Sequence, residues 1–209
     1  LPEINLNVIV NKQKLAVSGS VRGNAANQWR IPGLLIALGN NRIEAKGELG
    51  KTWQMDANVN APNLNESVPG LRGSVIGALK LRGTQAAPQL LTNLTLSGLK
   101  WQDLSVAKIS LNGEVVSAKQ VSGDLKLSLE RLVQGDTRIK LMTLTAKGNE
   151  NSHQLVLNAD GRPVSGQLTL SGQFNRAQQL WKGHLSQTNF ATPLGQWRLS
   201  GQLPLEYNN

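Results

Sequence analysis

Few residues in this chain have the types and spacing that chemistry requires. Gly47-Glu48-Leu49-Gly50-Lys51-Thr52 ends on the Gly-Lys-Thr of a phosphate-binding loop, where backbone amides and the lysine would cradle a nucleotide. That motif needs a further glycine at the position Ala45 occupies, and the residues after Thr52 alternate as a strand instead of opening a helix. Ser152, His153 and Asp160 supply the side-chain types of a hydrolytic triad. A triad also needs a buried carboxylate and an exposed nucleophile around the base, which their spacing does not provide. His153 reads instead as the start of a strand beside Asn149–Ser152, and His184 as a polar-face residue between Gly183 and Leu185. Two histidines and no cysteine exclude thiolate metal sites, disulfides and cysteine nucleophiles. We therefore expect no enzyme, no cofactor and no metal site.

Charge points elsewhere. Lys and Arg number 22 against 13 Asp and Glu, a formal net charge of +9. Nucleic-acid binders gather such an excess into a patch and interleave aromatics for stacking. Here it is dispersed: Lys12/Lys14, Lys80/Arg82 and Arg138/Lys140 are i,i+2 pairs on outward strand faces. That pattern suits a solvated exterior whose lysines discourage edge-to-edge aggregation, with weak attraction to anionic headgroups as a secondary effect. No nucleic-acid partner is expected.

The elements carrying these residues are strands. Apolar and polar residues alternate in Ile4–Val10, Trp53–Val59, Leu79–Arg82, Leu94–Ser97, Ile109–Asn112, Leu125–Glu130, Arg138–Leu141, Gln167–Leu170 and Trp197–Ser200. A period of two places alternate side chains on opposite faces of a sheet. Only Asn63–Val68 and Phe174–Trp181 read as short helical stretches. An apolar-x-apolar-x-Gly phrase also recurs, at Leu15–Gly19, Ile43–Gly47, Leu79–Gly83, Leu94–Gly98, Ile109–Gly113, Leu144–Gly148, Leu168–Gly172 and Trp197–Gly201. Each glycine takes an apolar-face position, where it marks a bulge, a bend or a close backbone approach. The longest strand candidate is Leu71–Gly83, after a Pro- and Asn-rich break at Ala61–Gly70. Residues 1–209 read as a single β-rich segment with that break as an internal loop.

The chain opens Leu1-Pro2-Glu3, without Met or a leader, and so reads as a processed or excised piece. Its densest apolar run, Leu34–Leu38, is far short of the roughly 20 residues that span a bilayer. With no long amphipathic helix, the apolar faces need either a second sheet, as in a sandwich, or one sheet curled into a trough or barrel. Only 5 Trp, 1 Tyr and 2 Phe are present, few for a sandwich core. An aliphatic face also suits acyl chains, since each methylene kept from water is worth about 0.8 kcal/mol.

Order among the phrases is more specific than the phrases themselves. Pro69-Gly70-Leu71-Arg72-Gly73-x-Val75-x-Gly77-x-Leu79-x-Leu81-x-Gly83-Thr84, then Pro88, then Gly98-Leu99-Lys100-Trp101-Gln102-Asp103-Leu104, resembles the TamB (translocation and assembly module) family. Trp181-x-Gly183-x-Leu185 and Leu194-Gly195-x-Trp197-x-Leu199 are similar to that family's closing stretches. The resemblance covers most of the chain. It implies an all-β, mainly antiparallel sheet curled into an open trough, a "β-taco" with an apolar interior, as in AsmA-like and bridge-like lipid transfer proteins. It also implies an internal or late periplasmic piece of a much longer, inner-membrane-anchored protein. The implied partners are phospholipid acyl chains, an outer-membrane TamA-type barrel and unfolded outer-membrane proteins such as autotransporters.

On that reading the inward register lines a groove for acyl chains. Its residues are Leu6, Val8, Met55, Leu79, Leu81, Leu94, Leu96, Ile109, Leu111, Leu125, Leu127, Leu141, Leu168 and Leu170. A second reading is a scaffold whose sheet edge or apolar face receives an outer-membrane protein strand by β-augmentation. A third is a dry-cored sandwich in which neither lipid nor polypeptide reaches those leucines.

Overall fold

A computed structural model describes residues 3–24, 26 and 28–208. The first half comprises β1 (Glu3–Val10), β2 (Gln13–Gly23), β3 (Trp29–Leu38), β4 (Asn41–Leu49), β5 (Trp53–Ala61), a short α1 (Leu64–Ser67) and β6 (Arg72–Thr84). Then follow β7 (Ala87–Trp101), β8 (Leu104–Ser117), β9 (Val121–Gln134), β10 (Thr137–Asn149) and β11 (Ser152–Arg162). The last are β12 (Ser165–Asn175), β13 (Leu180–Thr192), β14 (Gly195–Arg198) and β15 (Leu203–Asn208).

All fifteen strands belong to one sheet, and each through β14 pairs antiparallel with its neighbour in sequence. The outer edge of β13 is shared: Asn189–Thr192 bond β14, and Leu180–Leu185 bond β15. At the other edge β1 pairs only with β2, so the sheet does not close into a barrel. Among the described residues no second layer lies against it. Among the described residues only Ala61, Val106, Ile139 and Ala159 are buried apolar side chains, too few for the core of a sandwich. The fold is a long, open, twisted sheet, consistent with a curled trough.

Local chemistry explains the elements. Asn11 and Lys12, with φ of 50° and 63°, form the tight turn between β1 and β2, where positive φ at both central residues matches the strand twist. Asn63–Val68 does contain a helical turn, α1. Phe174–Trp181 does not: Phe174 and Trp181 pair across β12 and β13, and Asn175 Oδ1 accepts from the Gln178 amide in the turn between them. Leu71–Gly83 matches β6, but β7 is the longest strand at 15 residues.

The loop 62–70 leaves the sheet continuous, because β5 pairs β6 across it. A polar latch fixes it. Asn41 is only 6% exposed; its Nδ2 donates to the Asn63 carbonyl (2.7 Å) and to Ser67 Oγ (2.9 Å), and its Oδ1 accepts from the Asn63 amide (3.0 Å). Glu66 Oε2 accepts from the Asn40 amide at 2.6 Å, and Asn11 Nδ2 donates to the Ser67 carbonyl at 2.9 Å. The latch ties α1 to the turns preceding β2 and β4.

Candidate apolar face

Residues directly opposed across an antiparallel pair lie on the same face, so the register traces rows across the sheet. One row runs Leu6, Val17, Ile36, Ile43, Val59, Gly77, Leu94, Leu111, Leu127, Leu144, Leu157, Leu168, from β1 to β12. Beside it run Leu34, Ala45, Ala57, Leu79, Thr92, Gly113, Leu125, Ala146, Leu155, Leu170 and Leu185. Val8 opposes Leu15 on the flank toward the β1–β2 turn, where Val75, Leu96, Ile109, Leu129 and Met142 continue in line. On the opposite flank Met55 opposes Leu81, which opposes Leu90. The result is a continuous aliphatic band on one face of an uncovered sheet.

Of the fourteen residues read from sequence, the register brings all but Leu141 into this band. Leu141 opposes Glu130 and Asp160 and is 42% exposed. A bulge between Ile139 and Leu141 breaks the alternation, so Met142 and Leu144 take the apolar positions in β10. Leu6 and Val8 are exposed on the edge strand, whereas Met55, Leu79, Leu81, Leu94, Leu96, Ile109, Leu111, Leu125, Leu127, Leu168 and Leu170 are half-buried. Over β8–β11 the face sinks into a hollow of about 280 Å³, lined by Val115, Leu125, Ala146, Leu155 and Phe174 above Gly123 and Gly148.

Glycines in the rows sit where a side chain cannot. Gly77 (φ +154°) and Gly113 (φ +136°) hold a backbone conformation that L-residues rarely adopt. A Cβ there would collide with the carbonyl oxygens of Asn93 and Asp124 on the neighbouring strands.

Opposite this band the sheet is polar. Asn58, Ala78, Asn93, Asn112 and Lys126 form one of its rows. A concavity of about 1010 Å³ lies on this side, over Asn58, Asn60, Lys80, Asn93, Asn112 and Lys126, with Ile76 and Leu91 also lining it. A twisted single-layer sheet is saddle-shaped, so either face has a hollow, and this one holds charges of both signs. Arg82 Nη2 meets Asp56 Oδ1 at 2.5 Å, which holds the Asp56 carboxyl below its ordinary range, with Lys80 and Lys46 adding attraction. Lys147 and Asp124 pair at 3.0 Å.

Among the described residues the candidate titratable groups do not converge on a reacting centre. His153 Nε2 accepts from Trp181 Nε1 at 2.7 Å, and its Nδ1 lies 3.0 Å from the Asn149 carbonyl oxygen. With both ring nitrogens engaged, His153 is not free as a base for Ser152, and Asp160 faces Lys140 at 3.7 Å. Gly47–Thr52 is the end of β4 and a tight turn into β5. Among the described residues no three His, Asp or Glu are grouped to hold a metal ion, and no helix is long and apolar enough to cross a membrane.

The order of phrases and the uncovered one-sided sheet agree with a family match. A family model described as "TamB, N-terminal domain" matches residues 1–209. The chain belongs to the TamB family. It is 32% identical to the translocation and assembly module subunit TamB of Haemophilus influenzae, over 100% of this chain and 16% of that protein. Two uncharacterized Buchnera aphidicola proteins match at lower identity. One, from the Acyrthosiphon pisum symbiont, is 21% identical over 94% of this chain and 20% of its own length. The other, from the Schizaphis graminum symbiont, is 23% identical over 89% and 19%. The chain thus spans at most about a fifth of the length of the curated relatives it matches. No solved structure matches it.

Proposed function

We propose that this segment shields phospholipid acyl chains in transit between the inner and outer membranes, in a periplasmic protein that also supports outer-membrane protein assembly. The observation that carries this reading is the aliphatic band itself: apolar rows crossing the sheet from β1 to β12 with nothing packed on them. Leaving such a face in water is costly, and laying methylenes on it recovers about 0.8 kcal/mol each. Passage along it requires no catalytic residue and no nucleotide. The groove is lined by Leu6, Val8, Met55, Leu79, Leu81, Leu94, Leu96, Ile109, Leu111, Leu125, Leu127, Leu168 and Leu170, with Met142 and Leu144 in the place first given to Leu141.

The test is photo-crosslinking in the whole protein from Leu127 and, separately, from its neighbour Lys126, which opposes Asn112 and Thr145 on the polar face. Phospholipid adducts at Leu127 and none at Lys126 support the groove. Intramolecular links alone at Leu127 retire it.

A second reading draws on the edge. Every residue of β1 is exposed, and its outward backbone is unpaired among the described residues. Such an edge accepts a strand of an outer-membrane protein, or of a TamA-type barrel, by β-augmentation. Polypeptide adducts from β1 or Leu127 favour that scaffold.

A further inference from the structure

Like charges set directly opposite one another in an antiparallel pair repel. Among the described residues the sheet contains four such pairs: Arg22 with Arg30, Glu114 with Asp124, Arg72 with Lys100, and Arg138 with Arg162. Two are answered within the protein. Glu48 opposes Arg30 and pairs with it at 3.2 Å, and Lys147 opposes Asp124 and pairs with it at 3.0 Å. The other two are not. Arg72, Lys100, Arg138 and Arg162 are exposed and make no ion pair among the described residues. Asp103 and Asp136, in the adjoining turns, pair with none of them, and Glu66, in the loop before Arg72, accepts from Asn40.

Both unanswered pairs lie in one row. Arg72 opposes Lys100, and the row continues through Ser105, Val133, Arg138 and Arg162, from β6 to β11. Alternation counted from Leu96 and Met142 would set Lys100 and Arg138 on the apolar face, four residues along. The register shifts against β6 and against β11 while β7–β10 stay in step, so each of these four strands carries one extra residue there. Gly98 and Arg131 hold the left-handed backbone of such a bulge, with φ of 64° and 50°. The bulge line reverses the alternation. It turns Leu99, Val106, Leu132 and Ile139 to the apolar face, where Val106 and Ile139 are 2% and 3% exposed. By the same step it turns Lys100 and Arg138 to the polar face, beside Arg72 and Arg162. Five interstrand steps make the row roughly 24 Å long.

We propose that this row docks on an anionic bilayer surface, each like-charged pair closing on a headgroup phosphate. Guanidinium forks suit phosphate oxygens, and an anion between two cations removes their repulsion. The two pairs are four strands apart, roughly 19 Å, too far for one phosphate to serve both. A bilayer of mobile anionic headgroups supplies a phosphate at each pair at once, and bases near such a surface add their attractions. The row lies on the polar face, so the contact is independent of the acyl-groove reading.

The experiment uses the whole protein with added vesicles, either of equal parts phosphatidylglycerol and phosphatidylethanolamine or of phosphatidylcholine alone, each with isotope-labelled lipid. A photo-reactive residue is placed at Ser105 or Val133 within the row, and at Asn112 elsewhere on the polar face. Labelled-lipid adducts are expected from Ser105 and Val133 with the anionic vesicles, about tenfold fewer with phosphatidylcholine, and few from Asn112 with either. Arg138→Glu combined with Arg162→Glu is expected to lower the Val133 yield about tenfold. Lys14→Glu with Lys126→Glu makes the same change in net charge on the polar face and should leave that yield within about twofold. Hydrogen exchange over β7–β9 checks that each variant folds; if the reversal does not, Arg138→Gln with Arg162→Gln is expected to lower the yield about fivefold. Equal yields from the two vesicle types, equal losses in the row and control variants, or polypeptide adducts alone at Ser105 and Val133 overturn the proposal.

Discussion

At the residue scale, direction matters more than hydrophobicity. Leu127 and Leu141 are the same residue on adjacent strands, yet Leu127 opposes Leu111 and Leu144 while Leu141 opposes two carboxylates. Leu127→Arg places a charge among aliphatic rows, where an unpaired charge is costly, and is expected to reduce lipid adducts from Leu125 about tenfold or more. Leu141→Arg meets Glu130 and Asp160 instead, so adduct yield should remain within about twofold of the parent, because exposed ion pairs contribute little. Equal losses in the two variants would show that the lipid does not distinguish the faces.

Elements are held by glycines and by polar latches. Gly113→Ala forces a Cβ against the Asp124 carbonyl in a backbone conformation alanine resists, and should destabilise β8–β9 by about 1–3 kcal/mol in chemical denaturation. Asn41→Ala strips partners from the Asn63 amide and carbonyl and from Ser67 Oγ, and a loss of about 2 kcal/mol is expected, with raised hydrogen exchange over 62–70. The Arg82–Asp56 pair adds a pH dependence. Arg82 lowers the Asp56 pKa from its ordinary 3.8, so folding releases no proton from this group at neutral pH, and its contribution is complete above 3.8. It declines as pH falls through the lower folded-state value. Parent and Asp56→Asn should therefore differ in stability by a constant amount between pH 7 and 5 and converge only in acid. Convergence already at pH 5 would rule out the pairing as drawn.

For the whole molecule, the controlling fact is that strands touch their sequence neighbours and almost nothing else. Stability in such a quasi-one-dimensional stack approximates a sum of neighbour interfaces, and openings start where an interface is missing. Backbone hydrogen exchange should be fastest in β1, β14 and β15 and slowest in β7–β9, the long central strands. Uniform protection across all strands would require a covering layer that the structure lacks. The same economy makes a groove possible, since a sheet with no second layer keeps its apolar side accessible.

Strand content, the placement of most strands and the two-faced pattern were legible in the sequence, because a period of two is a local property of the chain; the meeting of β12 and β13 at Phe174–Trp181 was not. The TamB-family order of phrases was legible as well. Leu79, Leu94, Leu111 and Leu127 could be given one face from alternation alone, since each lies in an uninterrupted stretch. Leu141 could not: the bulge before it depends on how β10 fits β9 and β11, and a one-residue slip exchanges the faces. Sequence also left open whether one sheet or two would cover the apolar side, because alternation is the same in a sandwich and in a single layer. Only the tertiary pairing decided that. It also set Trp29 in line with Leu49 and Trp53, and Phe190 with Trp197, because lateral register is a relation between strands that no single strand encodes.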